Sequence, residues 1–214
     1  MLAEEVSRLL FKINAVSFKF DPPYTFTSGL KSPIYLDNRL IISYPEVRKQ
    51  IIDYYVQVIK DDIGLDNVDW ISGTATAAIP HAAFIANELN LPMVYVRSVA
   101  KKHGKGEQIE GYLKKGAKVL VIEDHISTGG SSIGNAEAIR VAGGIVEYCI
   151  ATTSYESDKS VQNFKDSNIN LHYLVSGKQI VDTALQEGVL SQKQKKSVDL
   201  WFDNPPVWAE KVGV

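Results

Sequence analysis

The sequence predicts an α/β fold: a central, mainly parallel sheet flanked by helices. Three observations predict it. Apolar runs of four to seven residues recur at Val68–Ile71, Met93–Val96, Val119–Ile122, Ile145–Ala151 and Leu171–Val175. Helix-period stretches fall between them, an Ala-rich one over 77–89 and another marked by Ile133, Ala136 and Ile139. That alternation implies parallel strands covered on both faces. The chain has 214 residues, 45% of them hydrophobic, which is enough for one sizeable core. A single domain is expected, with an N-terminal part over about 1–60, a core over about 67–175 and C-terminal helices over 176–214.

Taken in order, Leu2, Val6, Leu9, Leu10 and Ile13 share one helical face. A Ser28-Gly29-Leu30-Lys31-Ser32-Pro33 turn leads into a strand-like Ile34-Tyr35-Leu36. Ser43, Pro45 and Glu46 predict a capped helix start, continued by Val47, Ile51, Tyr54 and Val58. The helix through Ile139 is expected to end at Gly143-Gly144, and two C-terminal helices are read over 179–187 and 191–201. Trp70, Trp201 and Trp208 read as packing or interface residues.

Bulk properties exclude several functions. A net charge of −2 gives no electrostatic reason to expect nucleic-acid binding. Cys149 is the sole cysteine, so no intrachain disulfide forms. The first residues carry acids and lack the basic flank of a signal peptide, and no run approaches the ~18 apolar residues of a membrane span. A cytoplasmic protein with no membrane or nucleic-acid partner is expected. His81, His103, His125 and His172 show no metal-ligand spacing, and no Gly-x-Ser-x-Gly elbow occurs.

The chemistry concentrates after the third apolar run, in Glu123-Asp124-His125-Ile126-Ser127-Thr128-Gly129-Gly130-Ser131. Sheets of this class bind ligands at the carboxyl ends of their strands. Glycines permit a tight turn and close approach of amides, and a following helix start adds partial positive charge, so the run forms a phosphate cradle. No lysine follows the glycines, which excludes a Walker A loop, and Gly-x-Gly-x-x-Gly is absent. Acids beside a phosphate need another partner, either a ribose diol or a magnesium ion. Strand, acid pair and small-residue turn together point to a ribose 5-phosphate site; the bland alternative is an ordinary strand-to-helix turn. A second feature is the basic stretch Arg97–Lys115, with Arg97, Lys101, Lys102, His103, Lys105, Lys114 and Lys115 among several glycines. It reads either as a solvated loop or as a hinged cover for an anionic substrate.

These motifs resemble a known family. The run from Glu123 to Ser131 is similar to the signature of the type I phosphoribosyltransferases, which bind 5-phosphoribosyl 1-diphosphate (PRPP). The resemblance implies that fold, with a small N-terminal hood over the sheet. It assigns the ribose hydroxyls to Glu123 and Asp124 and the 5-phosphate to the turn Ser127–Ser131, with His125 as packing and Ile126 between. Arg97 to Gly106 with Ile109-Glu110-Gly111 resembles the catalytic loop of the orotate-specific branch, in which Arg97, Lys101 and His103 contact diphosphate. Lys101 and His103 are the implied catalytic groups. Ser28-Gly29-Leu30-Lys31-Ser32-Pro33 resembles that branch's base-side segment and nominates Lys31, Tyr35, Leu36 and Ser127 for the pyrimidine. Thr74, Ala75, Thr76 and Ala77 match a diphosphate loop working through its backbone. Ser98, Thr76-Ala77 and Tyr155 depart from residues common elsewhere in the family and resemble its Gram-positive branch. The resemblance further implies orotate and PRPP as substrates, Mg²⁺ held mainly by PRPP with no protein metal ligand assigned, and a homodimer whose loop serves the neighbouring subunit. Rival readings are a purine or uracil transferase, a PRPP-sensing regulator and an unrelated nucleotide-binding module.

Overall fold

The structure is a computed structural model that describes residues 1–26, 28–97 and 108–214. The N-terminal hood begins with α1 (Leu2–Lys12), which buries Val6 and Leu10. Short strands follow: β1 (Val16–Phe18), β2 (Tyr24–Thr25), β3 (Lys31–Ser32) and β4 (Ile34–Leu36). They form two antiparallel ribbons, β1 with β4 and β2 with β3. A 3₁₀ segment, Asn38–Ser43, leads into α2 (Pro45–Val58). Ser43 therefore does not cap α2. Tyr44 occupies the cap position without a side-chain bond, and Pro45 opens the helix, where its missing N–H costs nothing.

The core alternates strand and helix: β5 (Trp70–Thr74), α3 (Ala78–Leu89), β6 (Met93–Val96), β7 (Ile109–Glu110), β8 (Lys118–Ile126), α4 (Gly130–Val141), β9 (Ile145–Ser154), α5 (Asp158–Asp166) and β10 (Asn170–Ser176). Three helices close the chain, α6 (Gly177–Gln186), α7 (Gln192–Asp203) and α8 (Pro205–Val212). The main sheet runs β10-β9-β8-β5-β6-β7, and every pairing is parallel except β6 with β7. No helix among the described residues is long and apolar enough to cross a membrane.

Both faces of the sheet are buried, as the apolar runs require. Along β8, Leu120 and Ile122 join the core beneath the N- and C-terminal helices. Val119 and Val121 join a second core with Ala136, Ile139 and Phe164 of α4 and α5. The period-2 alternation of a strand thus divides one sequence run between two cores. Gly73 in β5 allows α3 to pack closely: a Cβ there would sit 3.0 Å from Ala82 Cβ and 3.1 Å from Ile79 Cα. The predicted strand over 68–71 is displaced to Trp70–Thr74, because small residues still pair when flanked by β6 and β8.

Candidate active site

A cavity of about 500 Å³ opens at the carboxyl ends of β5 and β8. Thr74, Ala75, Thr76 and Ala77 line one side, and the run from Glu123 to Ser132 lines the other. Two segments about fifty residues apart in sequence thereby face each other. The Ala75–Thr76 peptide bond is cis. An adjoining cavity of about 230 Å³ shares Thr74, Ala75, Gly130 and Ser131 with the first and adds Arg97. The Arg97 guanidinium lies 3.4 Å from the Glu110 carboxylate, and its backbone N–H donates to Gln108.

The turn after β8 opens onto the cavity. Gly129 takes φ +83° at the N-cap of α4, and no side chain caps that helix. The first-turn amides have no helical carbonyl in reach, an arrangement that suits an anion. Helix α5 braces the turn from outside. Ser157 Oγ donates to the Ser127 carbonyl at 2.8 Å, and Asn163 Nδ2 donates to the Thr128 carbonyl at 2.8 Å. Phe164 packs beneath Gly129. Asn135 of α4 joins cradle to opposite wall: Ser72 Oγ donates to its Oδ1 at 2.8 Å, and its Nδ2 donates to Thr74 Oγ1 at 3.0 Å.

The two acids sit in different environments. Glu123 is buried; its carboxyl accepts from Ser132 Oγ at 2.9 Å and from the Asp124 N–H at 3.1 Å. Burial, reinforced by the adjacent Asp124 carboxylate, pushes Glu123 up to about 8 against the partial relief of those donors. Asp124 is half-buried on the cavity wall. The hood grips the main chain beneath both: Tyr55 Oη donates to the Glu123 carbonyl at 3.0 Å, and Asn38 Nδ2 donates to the Asp124 carbonyl at 2.8 Å. His125 is half-buried with Nδ1 2.8 Å from Thr153 Oγ1, and desolvation of its ring lowers it to about 4. It is neutral near pH 7.

A stability test follows from Glu123. Folding takes up a proton wherever the pH lies between the ordinary carboxyl value of 4.5 and about 8, so stability declines as pH rises through that interval. Below about 6.5 the buried histidines act in the opposite sense, so the reading is taken from pH 6.5 to 8. Wild-type Tm is expected to fall across that window while that of Glu123→Gln stays flatter. Parallel slopes in thermal melts would refute the assignment.

The base-side residues stand apart from the cradle. Lys31, Tyr35 and Leu36 do not line the cavity, and the Lys31 side chain is exposed. Tyr35 Oη accepts from Arg39 at 3.3 Å, and Arg39 forks onto Asp37 at 2.6 and 2.8 Å. Lys101 and His103 lie outside the described residues, so their placement is not part of this geometry. Asn38, Tyr55, Asn135 and Asn163 were not read as site residues. Only Asn135 carried a sequence signal, an amide within a helix beside the apolar stripe of Ala136 and Ile139.

Comparisons with known proteins agree with this geometry. The sequence model of the family described as "Phosphoribosyl transferase domain" matches residues 42–170. The orotate phosphoribosyltransferase of Coxiella burnetii is 47% identical over 96% of this chain and 98% of its own. That of Listeria innocua is 44% identical over 98% of this chain and 99% of its own. Among solved structures, orotate phosphoribosyltransferase from Aeropyrum pernix superposes with a TM-score of 0.75 at 26% identity, covering 87% of this chain and 99% of that one. Fold, cradle and near-full-length similarity converge: the chain belongs to the orotate phosphoribosyltransferase family, within the type I phosphoribosyltransferases.

Proposed function

We propose that this chain is a pentosyltransferase that converts orotate and PRPP to orotidine 5′-monophosphate and diphosphate, a step in making pyrimidine nucleotides. The supporting observation is one cavity that joins an acid pair, an uncapped helix start and a small-residue loop. Relatives that match almost end to end carry the same activity in their names.

In this reading the amides of Ser127–Ser131 hold the 5-phosphate, and Asp124 with Glu123 fixes the ribose hydroxyls. The backbone of Thr74–Ala77 takes the diphosphate, with Arg97, Lys101 and His103 countering its charge as it leaves. The bond from ribose C1 to the diphosphate oxygen breaks, and the orotate N1 anion forms the new bond from the opposite face. The protein contributes orientation and charge stabilisation more than acid–base chemistry. Lys31, Tyr35, Leu36 and Ser127 border the base. The hood, core and C-terminal helices act as one domain over 1–214.

No group of three His, Cys, Asp or Glu side chains suited to a metal occurs among the described residues. Mg²⁺ commonly pairs one or two carboxylates with substrate phosphates; Asp124, half-buried on the cavity wall, would be the carboxylate to meet it beside PRPP, while Glu123 is buried. When bound with PRPP, the ion neutralises diphosphate charge. The reading includes a cytoplasmic homodimer whose basic loop serves the neighbouring subunit, supported by the loop's resemblance to its family.

The test is loss of orotate absorbance on adding PRPP, with and without Mg²⁺. Metal-dependent loss is expected. Turnover of hypoxanthine or uracil in place of orotate would reassign the base, and PRPP binding without product from any base would make the chain a regulator.

A further inference from the structure

We propose that Trp201, on C-terminal helix α7, is a positioning residue for the base side of the active site. Its indole is 2% exposed, and its Nε1–H donates to the Lys31 carbonyl at 2.9 Å, across 170 residues of sequence. The ring meets Phe26 edge-on at 6.2 Å and Tyr155 edge-on at 5.2 Å. Tyr155 in turn packs edge-on against His125 at 4.3 Å, and its N–H donates to the Ile126 carbonyl at 2.9 Å. His125 and Ile126 both line the cavity. One side chain therefore fixes the β2–β3 hairpin relative to the wall that carries Asp124.

The hairpin needs such an anchor. Among the described residues its ladder has two pairs, Tyr24 with Ser32 and Thr25 with Lys31, extended by the Phe26 N–H donating to the Leu30 carbonyl at 2.8 Å. A ribbon that short is not stable alone, and α8 packs on β3 beside the Trp201 anchor. Both Lys31 and Trp201 lie outside the residues that match the family domain. Trp208 supplies a comparison. Its buried Nε1–H donates to the Ser197 carbonyl at 2.8 Å, so the same kind of bond ends within the C-terminal helices.

What the hairpin binds rests on the function proposed above; its anchoring does not. The experiment compares Trp201→Phe with Trp208→Phe in the full chain. Each loses one indole donor, and similar decreases in Tm are expected. Trp201→Phe is expected to raise KM for orotate about 10-fold, the size of one lost hydrogen bond, with KM for PRPP within about twofold. Hydrogen–deuterium exchange over residues 24–36 should accelerate in Trp201→Phe and not in Trp208→Phe. An equal KM rise in both variants, or no rise in Trp201→Phe, overturns the proposal. If the wild type does not consume orotate, the functional reading fails, and exchange decides alone: faster exchange confined to Trp201→Phe upholds the anchor, and unchanged exchange rejects it.

Discussion

Gly129→Ala is expected to lower Tm by roughly 4–16 °C and to raise KM for PRPP at least about tenfold. Gly129 has φ +83°, where a Cβ is strained, and that atom would lie 2.5 Å from Phe164 Cε2. Phe164 is buried between α5 and the sheet and has little room to withdraw. Backbone strain and overpacking together amount to about 2–4 kcal/mol. The turn moves with its glycine, so the amides assigned to the 5-phosphate in the proposed function lose their alignment. Adding Phe164→Leu should restore part of the stability, because it removes the clash, while the φ strain stays. Melting curves and initial rates against PRPP measure both effects. A Gly129→Ala enzyme as stable and as active as wild type would show that the turn is not the phosphate cradle.

Asp124→Asn is expected to reduce kcat/KM by roughly 100- to 1,000-fold with little change in Tm. The substitution keeps side-chain volume and removes the charge that strengthens hydrogen bonds to ribose hydroxyls. Bonds to a charged group contribute about 1.5–3 kcal/mol each, and each 1.4 kcal/mol is tenfold. Stability should hold because the fold uses the backbone of Asp124: its N–H donates to Glu123, and its carbonyl accepts from Asn38. Steady-state kinetics beside a thermal melt separate the two. Retained catalysis would remove Asp124 from ribose recognition; collapse of the fold would recast it as structural.

Strands β6, β8, β9 and β10 are legible in the sequence because each contains a mainly apolar run of at least four residues, and β6 matches its run at both ends. Strands β8 and β9 extend past the predicted runs, to Ile126 and Ser154, into polar residues that hydropathy does not mark. Helix α5 was missed because its exposed face is polar and its buried side reduces to Ser160 and Phe164. Edge strand β7 has two residues, too few for any period. The apolar stripe of α2 runs through Tyr55, which is fully buried, and not through the expected Tyr54, which is half-buried; nothing local foretells that the Tyr55 hydroxyl meets the Glu123 carbonyl and Thr152 Oγ1.

The sequence by itself determined the alternating architecture, the acid-and-glycine turn from Glu123 to Ser131 and the small-residue loop from Thr74 to Ala77, since buried runs, glycines and adjacent acids are local signals. Tertiary structure alone decided which distant segments meet: the two sides of the cavity, Asn38 under Asp124, and Trp201 on Lys31. It also decided that Glu123 is the buried acid and Asp124 the accessible one. The physical reason is that a residue's charge state and partners depend on what covers it, and the covering atoms here come from helices up to 170 residues away.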